Sequence, residues 1–371
     1  MNKTPIQLSD HFTYPRLLRF VAPSIVMMIF TSIYYVVDGF FVSNYVGKTP
    51  FAALNFIMPF IMVLSGTGGS ALVAKELGCG HREKANRIFT MMIGFVVVVG
   101  LVLTVLGIAF IRPIARLMGA SESIMEDCVL YGRVNIAFTA AFMLQNVFQS
   151  FLIAAEKPKL GLAATVAAGV TNMALDALFI AVFHWGLAGA ALATGIGQCI
   201  GGVIPMVYIL RGKDLPLRFV PFRFKARPIL QACANGSSEF MSNISTSFVS
   251  ALYNMQLMRM LGEDGVSAYG VLMYVQLIFI GTAIGYSIGS APIVSYHFGA
   301  GNHDELKNML KKSLTLMGVT GVALTALALG LASPLAKLFV GYDERLYTLT
   351  LHAFSIFSFS FLLSGFNIFA S

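Results

Sequence analysis

Long apolar runs, separated by short polar turns, dominate the pattern of hydrophobic and polar positions along this chain of 371 residues. The runs 49–74, 88–111 and 185–210 each pass more than 20 positions without a charged residue. A helix needs about 20 apolar residues to span a bilayer. The period-two alternation of membrane strands is absent. The pattern therefore predicts an all-α polytopic membrane protein.

We predict ten membrane-spanning helices in this chain. They lie near residues 17–43, 51–75, 89–111, 131–155, 160–183, 186–210, 229–260, 266–295, 313–336 and 346–371. The last run reaches Ser371 without a polar flank, and a plan of six plus six helices requires twelve. We therefore expect a complete protein with about two further helices, of which this chain is a C-terminally incomplete form.

A polar, proline-bearing stretch divides the predicted spans into two groups. We expect an N-terminal six-helix lobe at 1–210, a cytoplasmic linker at 211–228 and a C-terminal lobe of four helices at 229–371. Gly78 and Gly80 at the end of the second helix correspond to Gly299 and Gly301 at the end of the eighth. Because these motifs are six helices apart, the lobes are predicted to be parallel, pseudo-symmetric repeats.

Charge placement predicts how the helices are oriented. If the N-terminus is cytoplasmic, 18 of the 25 lysines and arginines fall in inner segments, which satisfies the positive-inside rule. The net charge of +8 then faces anionic lipid, and no basic-aromatic patch favours nucleic acid. We expect a monomer in the inner (plasma) membrane, with the lipid bilayer as its partner.

Three acidic residues remain within the apolar runs, namely Asp38, Asp176 and Glu239. No lysine or arginine lies deep enough in the predicted spans to neutralise them. A charge at the bilayer centre costs about 2.5–3.5 kcal/mol on insertion scales, so such residues usually mark ion or substrate pathways. The alternative is that each is a protonated, hydrogen-bonded packing residue.

Enzymatic function is not supported by the sequence. Membrane proteases and prenyltransferases need a Ser/His pair, a D-D-x-x-D run or clustered metal ligands, and we find none. The four cysteines are far apart, which favours packing roles over metal binding. We expect no metal centre and no cofactor beyond a coupling ion. His352 is an isolated candidate in the last predicted helix.

Two motifs resemble a known family. D-G-x-F-V begins at Asp38, and N-x-x-x-D at Asn172 is followed by G-x-A-G-A-A-x-A-T at Gly186. Together with the glycine loop at Gly78, these resemble the multidrug and toxic compound extrusion (MATE) family in its DinF/MepA-like branch, over the whole chain. The resemblance implies a secondary-active efflux transporter. Such a protein exports small organic cationic or amphipathic compounds in exchange for H⁺ or Na⁺ by alternating access.

The resemblance also implies a cation-coupling site in the N-terminal lobe, formed by Tyr34, Asp38, Asn172, Asp176 and Thr194. Spacing supports it, because the tyrosine–aspartate pair and the asparagine–aspartate pair are each four residues apart, on one helix face. Na⁺ binding would involve the two aspartates and the asparagine. The alternative for the neutral residues is ordinary hydrogen bonding between helices.

Further candidates are weaker. Pro23 lies where the family has a proline in the first helix, and it could form either a bend point or a static kink. Glu239 and Asn243 share one face of the seventh helix and form a candidate second site in the C-terminal lobe. Packing is the expected role of Gln145, Asn146, Gln149 and Gln276.

Two other functions stay open at this stage. A lipid-linked oligosaccharide flippase of the same superfamily would be expected to have lysine or arginine in its cavity, and none lies mid-membrane here. The second alternative is an inactive, truncated membrane scaffold, because two helices are missing from the expected twelve.

Overall fold

The computed structural model describes residues 6–46, 69–118, 122–212, 215–340 and 343–370, and these residues form helices and connecting turns without any strand. We number the helices in chain order. They are α1 (Tyr14–Phe41), α2 (Gly69–Gly78), α3 (Arg82–Met118), α4 (Glu122–Ala137), α5 (Thr139–Ala154), α6 (Pro158–Asp176), α7 (Gly186–Arg211), α8 (Ala226–Gly299), α9 (His303–Val340), α10 (Glu344–Phe357) and α11 (Phe361–Ala370).

Seven helices of the described ranges are long and apolar enough to cross a membrane. The bent pair α4 and α5, which meet at 55°, becomes an eighth span if it is counted as one. Most of the second predicted span, 51–75, lies outside the described residues. The prediction of an all-α, multi-pass membrane protein is confirmed.

One predicted span is bent, and the separation predicted between two others is a kink in the backbone. The predicted span 131–155 is interrupted at Phe138, although no proline or glycine marks the bend. The predicted seventh and eighth helices meet within α8 at a kink at Gly262, where the backbone is not helical, with φ 66° and ψ −151°. This conformation is open to glycine because it has no Cβ.

Helix α1 packs against α6 and against α8, so it contacts both halves of the chain. Its approach to α6 is close because Gly169 has no side chain: a Cβ atom there would lie 2.5 Å from the ring of Phe30. The close approach brings the polar face of α1 against the end of α6, where the candidate site lies.

The predicted sequence repeat has one backbone geometry in both copies. Gly80 and Gly301 have φ of 78° and 68°. Equivalent hydrogen bonds follow in the two turns, from the N–H of His81 to the carbonyl of Glu76 and from that of Asn302 to His297, both at 3.0 Å. We call the end of the molecule that carries these turns the basic end.

At the basic end the two repeated motifs touch each other. A Cβ atom at Gly78 would lie 1.9 Å from the carbonyl oxygen of Tyr296, and one at Gly299 would lie 2.1 Å from that of Lys75. Both contacts relate the same two motif positions, so the crossing of α2 and α8 is itself pseudo-symmetric. We call it the glycine crossing.

The N-terminal strap, residues 6–13, joins the two halves beside the glycine crossing. The N–H of Leu8 donates to Glu156 Oε1 at 2.7 Å in the first half. In the second half, the N–H of Phe12 and Nδ1 of His11 contact the Glu305 carboxylate at 2.9 and 2.6 Å. Lys312 Nζ donates to the Phe12 carbonyl at 2.7 Å. The basic end is therefore closed by backbone contact and by the strap.

Candidate cation-coupling site

Two buried aspartates face each other across the contact between α1 and α6. Asp38 is 3% exposed and Asp176 is fully buried. The two carboxyl groups are close enough to interact electrostatically. In the described part of the chain, no lysine or arginine forms an ion pair with either aspartate. Two carboxylates this close repel each other strongly in a low dielectric, so the site favours a bound cation.

Several oxygen atoms at this point have no hydrogen-bond partner. They are Asp38 Oδ1, both carboxylate oxygens of Asp176, and Asn172 Oδ1. Buried acceptors are nearly always paired in folded proteins, so a cluster of unpaired ones requires an explanation. A small cation is the ligand that such atoms suit, because carboxylate and amide oxygens are the ligands of hard cations. A proton shared between the carboxyl groups would satisfy part of the cluster.

The neutral residues of the predicted site lie beside the aspartates. Asn172 Nδ2 lies 3.4 Å from Thr194 Oγ1, a long hydrogen bond that joins α6 to α7. This bond uses the amide nitrogen and leaves the amide oxygen of Asn172 on the side of the unpaired cluster. Gln198, one turn after Thr194, is also buried, and its Oε1 has no partner. The structure thus brings together α1, α6 and α7, the three helices that carry the residues of the predicted site.

Tyrosines complete the site, and two of them, Tyr35 and Tyr131, were not identified from the sequence. The rings of Tyr34 and Tyr35 lie side by side, with centroids 4.5 Å apart. Tyr131 of α4 is fully buried, lies in the electrostatic field of both aspartates, and accepts a hydrogen bond from Asn135 at 3.4 Å. Tyr131 and Asn135 are four residues apart, the spacing that also identified the two predicted pairs.

Both helices that carry the aspartates become π-helical directly after the site. The π-helical segment Ala177–Val182 follows Asp176 without a break, and Val42–Val46 begins four residues after Asp38. π-Helical turns are rare and occur often at functional sites, because the extra residue per turn redirects the side chains around it. Because a π-helical segment follows each of the two aspartates, the backbone around the carboxyl pair departs from regular α-helix in both helices.

The other candidates lie elsewhere. Pro23 is buried within α1, which stays helical through it, 15 residues before Asp38. The side chains of Glu239 and Asn243 are outside those that the structure describes. His352 is exposed.

The glutamine and asparagine candidates of α5 make packing contacts. Asn146 Nδ2 donates to the carbonyl of Phe142, and Gln149 Nε2 donates to Thr165 Oγ1 at 3.0 Å. Gln145 is buried where α7 has Gly201. Gln276 is half-buried in α8, outside the aspartate site.

Comparison with known proteins gives the same family as the sequence motifs. A family model described as MatE matches residues 23–178 and 240–371. The "Probable multidrug resistance protein YoeA" of Bacillus subtilis is 25% identical over 349 residues, 88% of this chain and 74% of that protein. The multidrug export protein MepA of Staphylococcus haemolyticus is 22% identical over 95% of this chain and 79% of its own length.

Solved structures share the fold. The outward-facing conformation of a multidrug resistance MATE family transporter of the MOP superfamily superposes with a TM-score of 0.92. It is 20% identical in sequence, and the match covers 100% of this chain and 84% of that one. The helical arrangement is therefore that of known transporters.

Proposed function

Because the chain belongs to the MatE family, whose members are transporters and not enzymes, we propose that it is a secondary-active multidrug exporter. It moves small organic cationic or amphipathic compounds out of the cell in exchange for H⁺ or Na⁺. It acts as a monomer in the inner (plasma) membrane, with the N-terminus in the cytoplasm and no cofactor beyond the coupling ion.

The opposed carboxyl groups of Asp38 and Asp176 are the observation that carries this proposal. They supply a buried acidic site in which three of the four carboxylate oxygen atoms have no hydrogen-bond partner. A cation that enters from outside binds there and neutralises the site. Substrate and coupling ion then oppose each other's binding, and this coupling is reciprocal by thermodynamic necessity.

Alternating access requires the two halves to separate at one end and then at the other. In this structure the basic end is the closed one, because the glycine crossing and the strap hold the halves together there. Under the proposed orientation this end is cytoplasmic. Uptake of substrate from the cytoplasm then requires that Gly78 and Gly299 move apart and that the strap releases one of its two anchors.

The proposal is tested by export from bacterial cells that lack their own efflux pumps. Cells that produce the wild-type protein should accumulate less ethidium than cells with an empty vector. Asp38→Asn and Asp176→Asn should restore full accumulation, although both variants reach the membrane. Asp304→Asn is the matched control, because that carboxylate is exposed at the start of α9 and should tolerate the same change. Unchanged export in both site variants would refute the proposal.

A further inference from the structure

A cavity of about 380 Å³ opens at the basic end, away from the aspartate site. Its walls come from four parts of the chain: the strap at Gln7, the start of α3 at Arg82, the turn between α5 and α6, and the linker at Pro216 and Arg218. This volume lies within the range of small-molecule binding sites. The coupling site and the family motifs do not involve it.

The charges that line this cavity are mainly positive. Three basic side chains line it, from Arg82, Lys157 and Arg218, against the single carboxylate of Glu156. Within the described ranges, neither Arg82 nor Lys157 forms an ion pair with a carboxylate. Arg82 and Lys157 alone outnumber the single lining carboxylate, so the charges of the cavity favour an anion.

The one acidic residue is already engaged by the protein. Glu156 Oε1 accepts the backbone N–H of Leu8 at 2.7 Å. Burial raises the pKa of Glu156, which makes its negative charge easier to lose. The carboxylate thus anchors the strap and, as a single negative charge, cannot neutralise both Arg82 and Lys157.

Backbone contacts hold the basic residues in position around the cavity. The N–H of Arg218 donates to Asn86 Oδ1 at 2.9 Å, and its Nε lies 3.4 Å from the Leu215 carbonyl. Lys157 closes the end of α5 by donating its N–H to the carbonyl of Leu152 at 2.7 Å. These contacts hold the backbone of Arg218 and of Lys157 at the wall of the cavity.

The linker beside the cavity has the pattern of a membrane-interface segment. Leu217 is fully buried and the ring of Phe219 packs 5.1 Å from that of Phe89. By contrast, Phe222 and Phe224 are 41% and 70% exposed, and basic residues at 223 and 225 alternate with them. The candidate span Gly186–Arg211 ends directly before this segment, so the segment lies near the membrane surface. Exposed aromatics with flanking bases are typical of headgroup depth.

We propose that this cavity binds the phosphate group of an anionic phospholipid, with Arg82, Lys157 and Arg218 contacting the phosphate oxygens. The acyl chains lie along the exposed rings of Phe222 and Phe224. The bound lipid connects the linker to the first half of the molecule at the basic end. Basic pockets on the cytoplasmic side of transmembrane helices are suited to such headgroups. The inference does not depend on transport, because lipid binding is measured directly.

Native mass spectrometry of the full chain in detergent tests the inference, with titration by phosphatidylglycerol or phosphatidylcholine. The wild-type protein should retain one phosphatidylglycerol in preference to phosphatidylcholine. Arg82→Gln/Lys157→Gln should weaken this binding by about tenfold or more, because each basic residue near an anionic surface contributes a factor of about five. The charge-preserving Arg82→Lys/Lys157→Arg should retain it.

Lys307→Gln/Lys311→Gln is the matched control, because both lysines are exposed at the start of α9 and their loss changes the net charge equally. It should leave binding within twofold of wild type. If the double pocket variant does not fold, Lys157→Gln alone should weaken binding by about fivefold.

Three results would overturn the inference. They are equal weakening in the pocket and control variants, no preference for phosphatidylglycerol, and displacement of the lipid by millimolar inorganic phosphate. The last result would assign the cavity to a soluble phosphate instead of a lipid.

Discussion

The glycine crossing offers the most sharply defined perturbation in the molecule. In Gly78→Ala, the new Cβ would lie 1.9 Å from the carbonyl oxygen of Tyr296, which is backbone and cannot rotate away. Ordinary carbon–oxygen contacts begin at about 3.3 Å, so α2 and α8 would have to separate by about 1.4 Å. Gly299→Ala should behave in the same way, because its Cβ would lie 2.1 Å from the carbonyl oxygen of Lys75.

The energy of this clash sets the expected shift. Overpacked sites typically cost about 1–3 kcal/mol, and a contact between two backbones should lie near the upper figure. About 3 kcal/mol changes an equilibrium by roughly 100-fold. Gly78→Ala should therefore favour states with a separated basic end by about that factor, while the rest of the fold is unchanged.

Cross-linking of two cysteines measures the separation. The native Cys79 Sγ lies 3.1 Å from the carbonyl oxygen of Gly299, so a cysteine introduced by Ala300→Cys would be its neighbour across the crossing. In a background without the other three cysteines, a short bifunctional thiol reagent should link positions 79 and 300 efficiently. Adding Gly78→Ala should reduce the yield strongly.

Gly270→Ala is the matched control for this experiment. It is the same substitution within α8, and a Cβ there would have no atom within 4 Å. The control should cross-link like the parent protein and should be slightly more stable, since alanine favours helix over glycine. An equal yield in Gly78→Ala and in this control would refute the reasoning.

Three further predictions concern the strap and the carboxyl pair. Glu305→Ala should lower the free energy of unfolding by about 3 kcal/mol, because it removes the acceptor of the His11, Phe12 and Asn308 donors. The control Glu83→Ala removes only an exposed ion pair with Arg87 and should change the free energy of unfolding by less than about 0.5 kcal/mol. Equal shifts of the melting temperature in Glu305→Ala and Glu83→Ala would contradict this account. Burial raises the pKa of Glu156, so the native state binds the proton of this carboxyl group more tightly than the unfolded state does. The free energy of unfolding should therefore fall as the pH rises from the ordinary pKa of 4.5 to the raised one. In denaturation curves measured across this pH range, Glu156→Gln should remove the pH dependence. Asp176→Asn should not lower the melting temperature, since it relieves carboxylate repulsion with Asp38, and a large drop would show that the pair is a structural element instead.

The fold could be predicted from the sequence because the apolar runs are long and their turns are polar. The bend at Phe138 could not, since no proline or glycine marks it and the change depends on tertiary packing. The π-helical segments after Asp38 and Asp176 were also unpredictable, because a one-residue insertion in a helical turn leaves no mark in hydrophobic periodicity.

The candidate site was predicted in part. Spacing of four residues placed Tyr34 with Asp38 and Asn172 with Asp176, but it could not show that the two carboxyl groups meet, since this depends on how α1 packs on α6. Tyr131 and Asn135 have the same spacing and were missed, although the criterion was available. The motif repeat predicted that the turns at Gly78 and Gly299 are alike. The repeat did not predict that the two turns touch, because two segments with the same sequence motif need not be neighbours in the fold.

The central claim is that cation binding at Asp38 and Asp176 drives export. Its most direct test is efflux of a fluorescent organic cation from proteoliposomes, with a pH gradient and a Na⁺ gradient imposed separately. The account predicts that one of the two gradients drives efflux by the wild-type protein and by Asp304→Asn, and that neither drives it in Asp38→Asn. Gradient-driven efflux that persists in Asp38→Asn and in Asp176→Asn would contradict the claim.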